Sequence, residues 1–263
     1  MKNCLTIAGS DCSGGAGIQA DLKTFSALGT FGMSVVSAVV AENTSRVISI
    51  QDIDVKIIED QIDAVFEDIE VAAVKVGMLP GIESMRAVAA KLREYRPPVI
   101  VMDPVMVATG GGNLMNPEAL GTLKKELIPV VTLLTPNIPE AEIIAGTGIR
   151  TQEDMKAAAV EIHRMGAQNV LIKGGHLEGD AYDLLYDGVN FYSFSAERID
   201  TKNTHGTGCT LSSAITANLA KGMDMPSAVA EAKRYLTEAI RHGLAIGKGH
   251  GPTNHFHEFY RMN

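Results

Sequence analysis

The residues that could do chemistry concentrate first in NTHGTGCTLS, Asn203 to Ser212, where Gly206 and Gly208 flank Thr207 just ahead of a lone cysteine, Cys209. The stretch TLSSAITANLA that follows reads as a helix. The backbone N–H groups of Gly206, Thr207, Gly208 and Cys209 then fall at its N-terminus, where amides lack intrahelical partners and the dipole favours an anion. Glycines there let a phosphate approach closely, and the amides would stabilise charge developing during a transfer. An ordinary glycine turn capped by Thr204 or Thr207 is the plainer alternative. In the functional setting the helix terminus should favour the Cys209 thiolate, which could accept a proton from an attacking hydroxyl. A covalent role has no supporting motif nearby, and a small buried apolar side chain is the bland reading.

A second glycine cluster, GSDCSGGAG from Gly9 to Gly17, follows an apolar run and opens a helix. It lacks both the Lys-Ser/Thr of a P-loop and the G-x-G-x-x-G spacing, so it reads equally as a tight turn. Asp11 and Asp21 add acceptors, unless they serve the helix dipole. Asp103, ending the apolar run VIVMDPV, should point to the ligand edge of a sheet. Glu140, in NIPE, opens a helix and by itself is a routine helix-start acid. Met78 and Val105 read by themselves as core residues, and Lys202 as a solvated charge. His255 and His257 lack companions for a metal site, which predicts an exposed C-terminal tail.

Positioning these groups falls to alternating elements. LTIAGS (5–10), SVVSAVV (34–40), AAVKVG (72–77), VIVMDPV (99–105), VVTLLTP (130–136) and NVLIKGG (169–175) read as buried strands. Between them Ile18, Leu22, Phe25 and Leu28 share one helical face, as do Ile58, Ile62, Val65 and Ile69. Gly29, Gly166 and Gly222 sit where helices should stop. Repetition of strand and helix predicts an α/β fold, a mostly parallel sheet with helices on both faces. Ligands in such sheets bind beyond the strands' carboxyl ends, where AGS, VGM, MDPV, TPN and KGG all lie. DLLYDGVNFYSFS carries Asp187-Gly188 between two apolar runs and predicts a hairpin at the sheet's edge.

At 263 residues and 46% hydrophobic content, one domain spanning 1–263 is expected. The net charge of −8 provides no basic footprint for a nucleic acid or an anionic membrane. The N-terminal apolar run is too short for a signal or a span, so a soluble cytoplasmic protein is expected. Cys4, Cys12 and Cys209 are too few and scattered for a disulfide framework.

Taken together, AGSDCSGGAGIQADLKTFSALG, VVAENT, VGML, DPVM, TPNIPEAE, KGGH and TKNTHGTGCTLS closely resemble the ribokinase-like superfamily, specifically its bacterial hydroxymethylpyrimidine and phosphomethylpyrimidine kinases of thiamine biosynthesis. The likeness runs from Leu5 to about Phe256. It implies a three-layer ribokinase-like fold that phosphorylates 4-amino-5-hydroxymethyl-2-methylpyrimidine and then its monophosphate, with ATP and Mg²⁺, commonly as a homodimer. The family would place the pyrimidine near Gly9, Asp21, Glu42, Met78, Val105 and Cys209. Asp21 and Glu42 would take the ring's polar edges, and Met78 and Val105 its faces. The N-x-x-E motif assigns Asn137 and Glu140 to phosphate and magnesium, beside Asp103. Lys173 and Thr207 would serve the nucleotide, and Lys202 or His205 would reach the transferring group less directly. Many relatives have glutamine where Glu42 stands, which suggests that the ring binds protonated. Sugar kinases carry aspartate where Cys209 stands, so the resemblance makes Cys209 the base within an anion hole. A pyridoxal kinase of the same superfamily and a silent vitamin-binding protein are the alternatives.

Overall fold

The Val- and Ile-rich runs pair as a parallel sheet because each is followed by a helix that carries the chain back across it. The computed structural model describes residues 1–106, 117–174 and 181–260. In chain order the elements are β1 (Asn3–Ala8), α1 (Gly17–Ala27), β2 (Phe31–Val36), β3 (Ala38–Asn43), β4 (Arg46–Asp52), α2 (Val55–Phe66), β5 (Ala73–Val76), α3 (Ile82–Tyr95), β6 (Ile100–Met102) and α4 (Pro117–Thr122). They continue as β7 (Leu133–Leu134), α5 (Ile138–Ala145), α6 (Gln152–Arg164), β8 (Asn169–Gly174), β9 (Ala181–Tyr186), β10 (Phe191–Ala196), α7 (Thr207–Ala220) and α8 (Met225–Arg241). Eight strands form one sheet in the order β10-β9-β8-β7-β6-β5-β1-β2. The strands from β2 to β8 in that sheet run parallel, and β9 and β10 are antiparallel around Asp187-Gly188, as the turn dipeptide predicts.

Helices α1, α7 and α8 pack on one face, and α2, α3, α5 and α6 on the other, making three layers. Strand alternation feeds both cores: Val74 and Val76 join the α2/α3 side, whereas Ala73 packs with Phe25 and Ala217 on the α1/α7 side. Asp54, Thr151 and Asp224 cap α2, α6 and α8 by accepting backbone N–H groups. Gly29, Gly166 and Gly222 adopt positive φ at helix ends, as expected.

Three expectations change. The run 34–40 is not one strand: the Ser37 N–H still follows the β1 ladder, donating to Ala8 O, its hydroxyl turns to Met78 O, and beyond it the chain leaves the main sheet. It continues as β3, which pairs with β4 in a two-stranded hairpin. The run 130–136 narrows to β7 because a helical turn covers 128–130. The histidine segment is docked rather than exposed. Asn254 N–H donates to Ala239 O at 2.9 Å, Tyr235 Oη to His255 O at 2.6 Å, and the His255 ring lies 3.1 Å from Thr210 Oγ1. Burial, reinforced by Lys23, pushes the His255 pKa down to about 4, so this ring is a neutral packing group. Gly175 and His176 of KGGH lie outside the described residues.

Candidate active site

Helix α7 begins as its sequence requires. Gly206 is the N-cap with φ +78°, and no side chain caps the first turn. A Cβ on Gly206 would fall 1.8 Å from Gly15 O, so only glycine lets the two glycine loops touch. Neither Thr204 nor Thr207 caps by its side chain, although Thr207 N–H turns back on Thr204 O at 3.3 Å. Gly206, Thr207, Gly208 and Cys209 all line a cavity of ≈ 220 Å³ beyond the strand ends.

The first glycine loop is shaped by Asp11. Its buried carboxylate accepts N–H groups of Ser13 (2.7 Å), Gly15 (3.0 Å) and Ala16 (2.7 Å), and its Oδ2 lies 2.8 Å from His205 Nε2. Burial would raise the Asp11 pKa, but His205 and these amides hold it well below the carboxylate range. His205 is raised in turn by the Asp11 hydrogen bond, against burial. The pair therefore ties the loop before α7 to the loop before α1. Ligand atoms of Asp11, Glu42 and His205 lie within 4.8 Å of one another. The Asp11 oxygens already have partners, so the trio reads as an ion pair beside a carboxylate.

Around that cavity stand Gly9, Glu42, Met78 and Val105, with His205 and Lys75. Burial, and then Asp11, raise the Glu42 pKa, which favours sharing a proton with a ligand. Asp21 does not take the expected place among the lining residues. It is fully buried, accepting hydrogen bonds from Thr6 (2.6 Å), Lys75 (2.8 Å) and Ser213 (2.7 Å). The same face of α1 that buries Ile18 and Phe25 buries Asp21, three residues after one and four before the other. Cys209 also departs from expectation: burial pushes its thiol up to about 11, Lys75 opposes this, and Asp21 and Asp103 add to it. Placement at a helix N-terminus does not offset the loss of water.

A second cavity, ≈ 480 Å³, opens on the other side of the same helix start. The two share Asn137, Lys173, Thr204, Thr207 and Gly208. Lys173 Nζ lies 2.6 Å from Asp103 Oδ1, which Thr135 Oγ1 also reaches at 3.3 Å. Asn137 and Glu140 form a capping box, each side chain accepting the other's N–H at 2.9 and 2.8 Å. Burial raises the Glu140 pKa to about 7, with Lys173 lowering and Asp103 raising it. Asp103 and Glu140 thus bring two buried carboxylates to the Lys173 ammonium, and oxygen donors of this kind suit Mg²⁺, whose charge would favour their ionised forms. Lys202 is exposed and lines neither cavity. Sequence reasoning missed Lys75 and the Lys233–Asp183 pair (2.6 Å) in the second cavity wall. A lysine inside the apolar run AAVKVG was the available signal for the first, because a buried ammonium must be paired.

Comparison with known proteins adds the family. A model described as phosphomethylpyrimidine kinase matches residues 11–254. The Rhizobium meliloti hydroxymethylpyrimidine/phosphomethylpyrimidine kinase is 49% identical over 261 residues, covering 98% of each chain. The Geobacter sulfurreducens thiamine biosynthesis bifunctional protein is 54% identical over 95% of this chain, which spans 51% of that longer protein. The structure of Bacillus subtilis pyridoxal kinase in complex with ADP superimposes with a TM-score of 0.91 at 41% identity, covering 97% of each chain.

Proposed function

This chain belongs to the phosphomethylpyrimidine kinase family and phosphorylates hydroxymethylpyrimidine and then its monophosphate with ATP, and we propose how its residues divide that work. The observation that carries the reading is the meeting of two cavities at one helix start, over Thr207, Gly208 and Lys173. The pyrimidine takes the smaller cavity, with Met78 and Val105 against its faces, Glu42 on a polar edge and Gly9 above it. The ATP phosphates enter from the larger cavity past Asn137, Lys173 and Thr207.

Phosphoryl transfer needs alignment and charge neutralisation more than covalent help. The hydroxymethyl oxygen attacks the γ-phosphorus and its proton passes to the thiolate form of Cys209, the minor form because burial disfavours it, while the bond to the ADP oxygen breaks. Amides from Gly206 to Cys209 stabilise the phosphoryl oxygens. Asp103 and Glu140 are the carboxylates that would hold Mg²⁺, whose charge offsets that of the phosphates when bound. Lys173, tied to Asp103, adds a fixed cation beside them. In the second phosphorylation the attacking atom is a phosphate oxygen, already ionised near neutral pH. Cys209 therefore acts as a base only in the first. Asp21 supports the cavity from beneath.

Residues 1–263 act as one domain, a reading supported by the continuous eight-stranded sheet and the docked C-terminal segment. A homodimer is supported by Val39, Ile48 and Ile50, apolar side chains that the β3–β4 hairpin leaves 50%, 62% and 40% exposed; sedimentation velocity reads it directly. Unpaired Cys4, Cys12 and Cys209 support a cytoplasmic setting. No helix among the described residues is long and apolar enough to cross a membrane. Likeness to a pyridoxal kinase supports a second acceptor. The test is ADP release in the presence of hydroxymethylpyrimidine, its monophosphate and pyridoxal in turn. Release with the first two is expected, and binding of either without ADP would contradict catalysis.

A further inference from the structure

Strand β3 carries Glu42 to the pyrimidine cavity without the support that the main-sheet strands have. No residue of its partner β4 is fully buried. A lone two-stranded hairpin is marginal at best in water, yet Val40, Glu42, Val47 and Ile50 of this one line the cavity. The hairpin is held instead along one edge, through alternate residues, which in an antiparallel pair turn both main-chain groups the same way. Ser10 N–H donates to Ala38 O at 2.9 Å, and Ser10 Oγ accepts the Val40 N–H at 3.3 Å. Further along, Cys12 Sγ donates to Glu42 O at 3.0 Å and accepts the Glu42 N–H at 3.4 Å. Thr44, in the turn after β3, is gripped by a strap from near the other end of the chain. Its Oγ1 accepts the Gly249 N–H at 3.1 Å and its main-chain O the His250 N–H at 2.8 Å. A Cβ on Gly249 would fall 2.1 Å from Thr44 O, so only glycine lets the strap lie this close. The strap is itself anchored before α7, where His205 N–H donates to Gly251 O at 3.1 Å.

We propose that Cys12 and Thr44 are positioning residues for the pyrimidine: by tying down the main chain at Glu42 and just beyond it, they keep the Glu42 carboxylate at the polar edge of the ring. The role rests on the reading of Glu42 as a pyrimidine contact. Neither Cys12 nor Thr44 lines the cavity, so each acts through Glu42. Cys12 serves as a hydrogen-bonding group, and its thiol undergoes no chemistry. The ties fall where the hairpin's own ladder is weakest. The register of β3 against β4 shifts between Ala41, opposite Ser49, and Glu42, opposite Val47. Such a bulge interrupts the pairing, so β4 alone fixes Glu42 less firmly than its neighbours. The nucleotide is indifferent to this arrangement, since Cys12, Glu42, Thr44 and Gly249 are all absent from the lining of the larger cavity.

The experiment is steady-state ADP release with hydroxymethylpyrimidine and ATP varied in turn. It compares the parent, Cys12→Ala, Thr44→Val, Thr44→Ser and the Cys12→Ala/Thr44→Val pair, each with Glu42 intact and with Glu42→Ala. Circular dichroism and Tm check folding, and the exposed position of Cys12 keeps the test open should Thr44→Val fail to fold. An ordinary hydrogen bond is worth about two- to tenfold in an equilibrium and one to a charged group about 10- to 100-fold. Cys12→Ala and Thr44→Val should therefore each raise the KM for the pyrimidine about threefold or more, below a ceiling of about 10- to 100-fold set by Glu42→Ala. The kcat at saturating pyrimidine and the KM for ATP stay parental. Thr44→Ser keeps the accepting oxygen and restores the KM. With Glu42→Ala in place, the tie variants raise the KM no further, which a general loosening of the fold does not produce. A parental KM in the paired variant, the same rise with and without Glu42, or an equal disturbance of kcat or of the KM for ATP overturns the role of the ties. A parental KM in Glu42→Ala alone overturns the reading of Glu42 beneath it. The two failures are separate, because Glu42→Ala is read with both ties intact.

Discussion

Replacing Gly208 by alanine separates the anion hole from the stability of the fold. The new methyl would lie 2.9 Å from Asp103 Oδ2 and 3.5 Å from Lys173 Nζ. Asp103 has little room to yield, since Lys173 and Thr135 hold its other oxygen. The Gly208 backbone lies outside the left-handed region, so alanine suffers no strain there and gains up to about 1 kcal/mol of helix preference. The close contact costs about 1–3 kcal/mol. The balance is a small loss, and for a chain of this size it moves Tm by only a few degrees, at about 2–4 °C per kcal/mol. Activity should change far more, because the methyl occupies the face where phosphate meets the amides. Loss of one such donor typically lowers kcat by about 10²–10³, or roughly 2.7–4 kcal/mol. Coupled measurement of ADP release and a thermal melt on the same preparation read both quantities. An alanine variant with parental kcat would refute the anion hole, and a collapse in Tm matching the lost activity would refute the separation.

Cys209→Ala should lower turnover on hydroxymethylpyrimidine by about 10²–10⁴ while sparing phosphorylation of the monophosphate; equal losses on the two acceptors would remove the base from the account. For Glu42→Gln, calorimetric titration should show pyrimidine affinity losing its dependence on pH, whereas in the parent affinity falls as pH rises and the shared proton is lost. Superposed profiles would count against proton sharing. The His205–Asp11 pair makes a stability prediction. Raised His205 stabilises below its unfolded pKa of about 6.5 and fades as pH rises through its folded value, while lowered Asp11 stabilises above about 3.9 and fades as pH falls. The Tm gap between parent and His205→Gln should therefore be widest between about pH 4 and 6.5, and a gap that widens above pH 8 would reverse the sign.

Much of this arrangement is legible in the amino-acid order because the layers announce themselves. Buried strands β1, β5, β6 and β8 are short Val/Ile runs, Asp187-Gly188 marks the β9–β10 turn, and THGTGC before an apolar stretch marks the start of α7. What stays hidden depends on partners distant in the chain. Nothing local to SVVSAVV shows that the Ser37 hydroxyl bonds to Met78 O, where the chain leaves β2 for a separate hairpin. Asp21 and Lys75 each look misplaced, an acid on an apolar helix face and a base in an apolar strand. Their meeting 54 residues apart turns two anomalies into one pair. For the half-buried Cys209 thiol the helix terminus is visible in sequence, whereas the aspartates brought to it from other elements, Asp21 and Asp103, are not. His255 was misjudged for the same reason: the tail's docking on α8 is a tertiary contact.

A ternary complex with hydroxymethylpyrimidine, Mg²⁺ and a non-hydrolysable ATP analogue tests the central claim most directly. The hydroxymethyl oxygen should lie within hydrogen-bond reach of Cys209 Sγ and in line with the γ-phosphorus, whose oxygens accept from the amides at the start of α7. A γ-phosphate seated away from Gly208, or a hydroxymethyl group turned from Cys209, would contradict it.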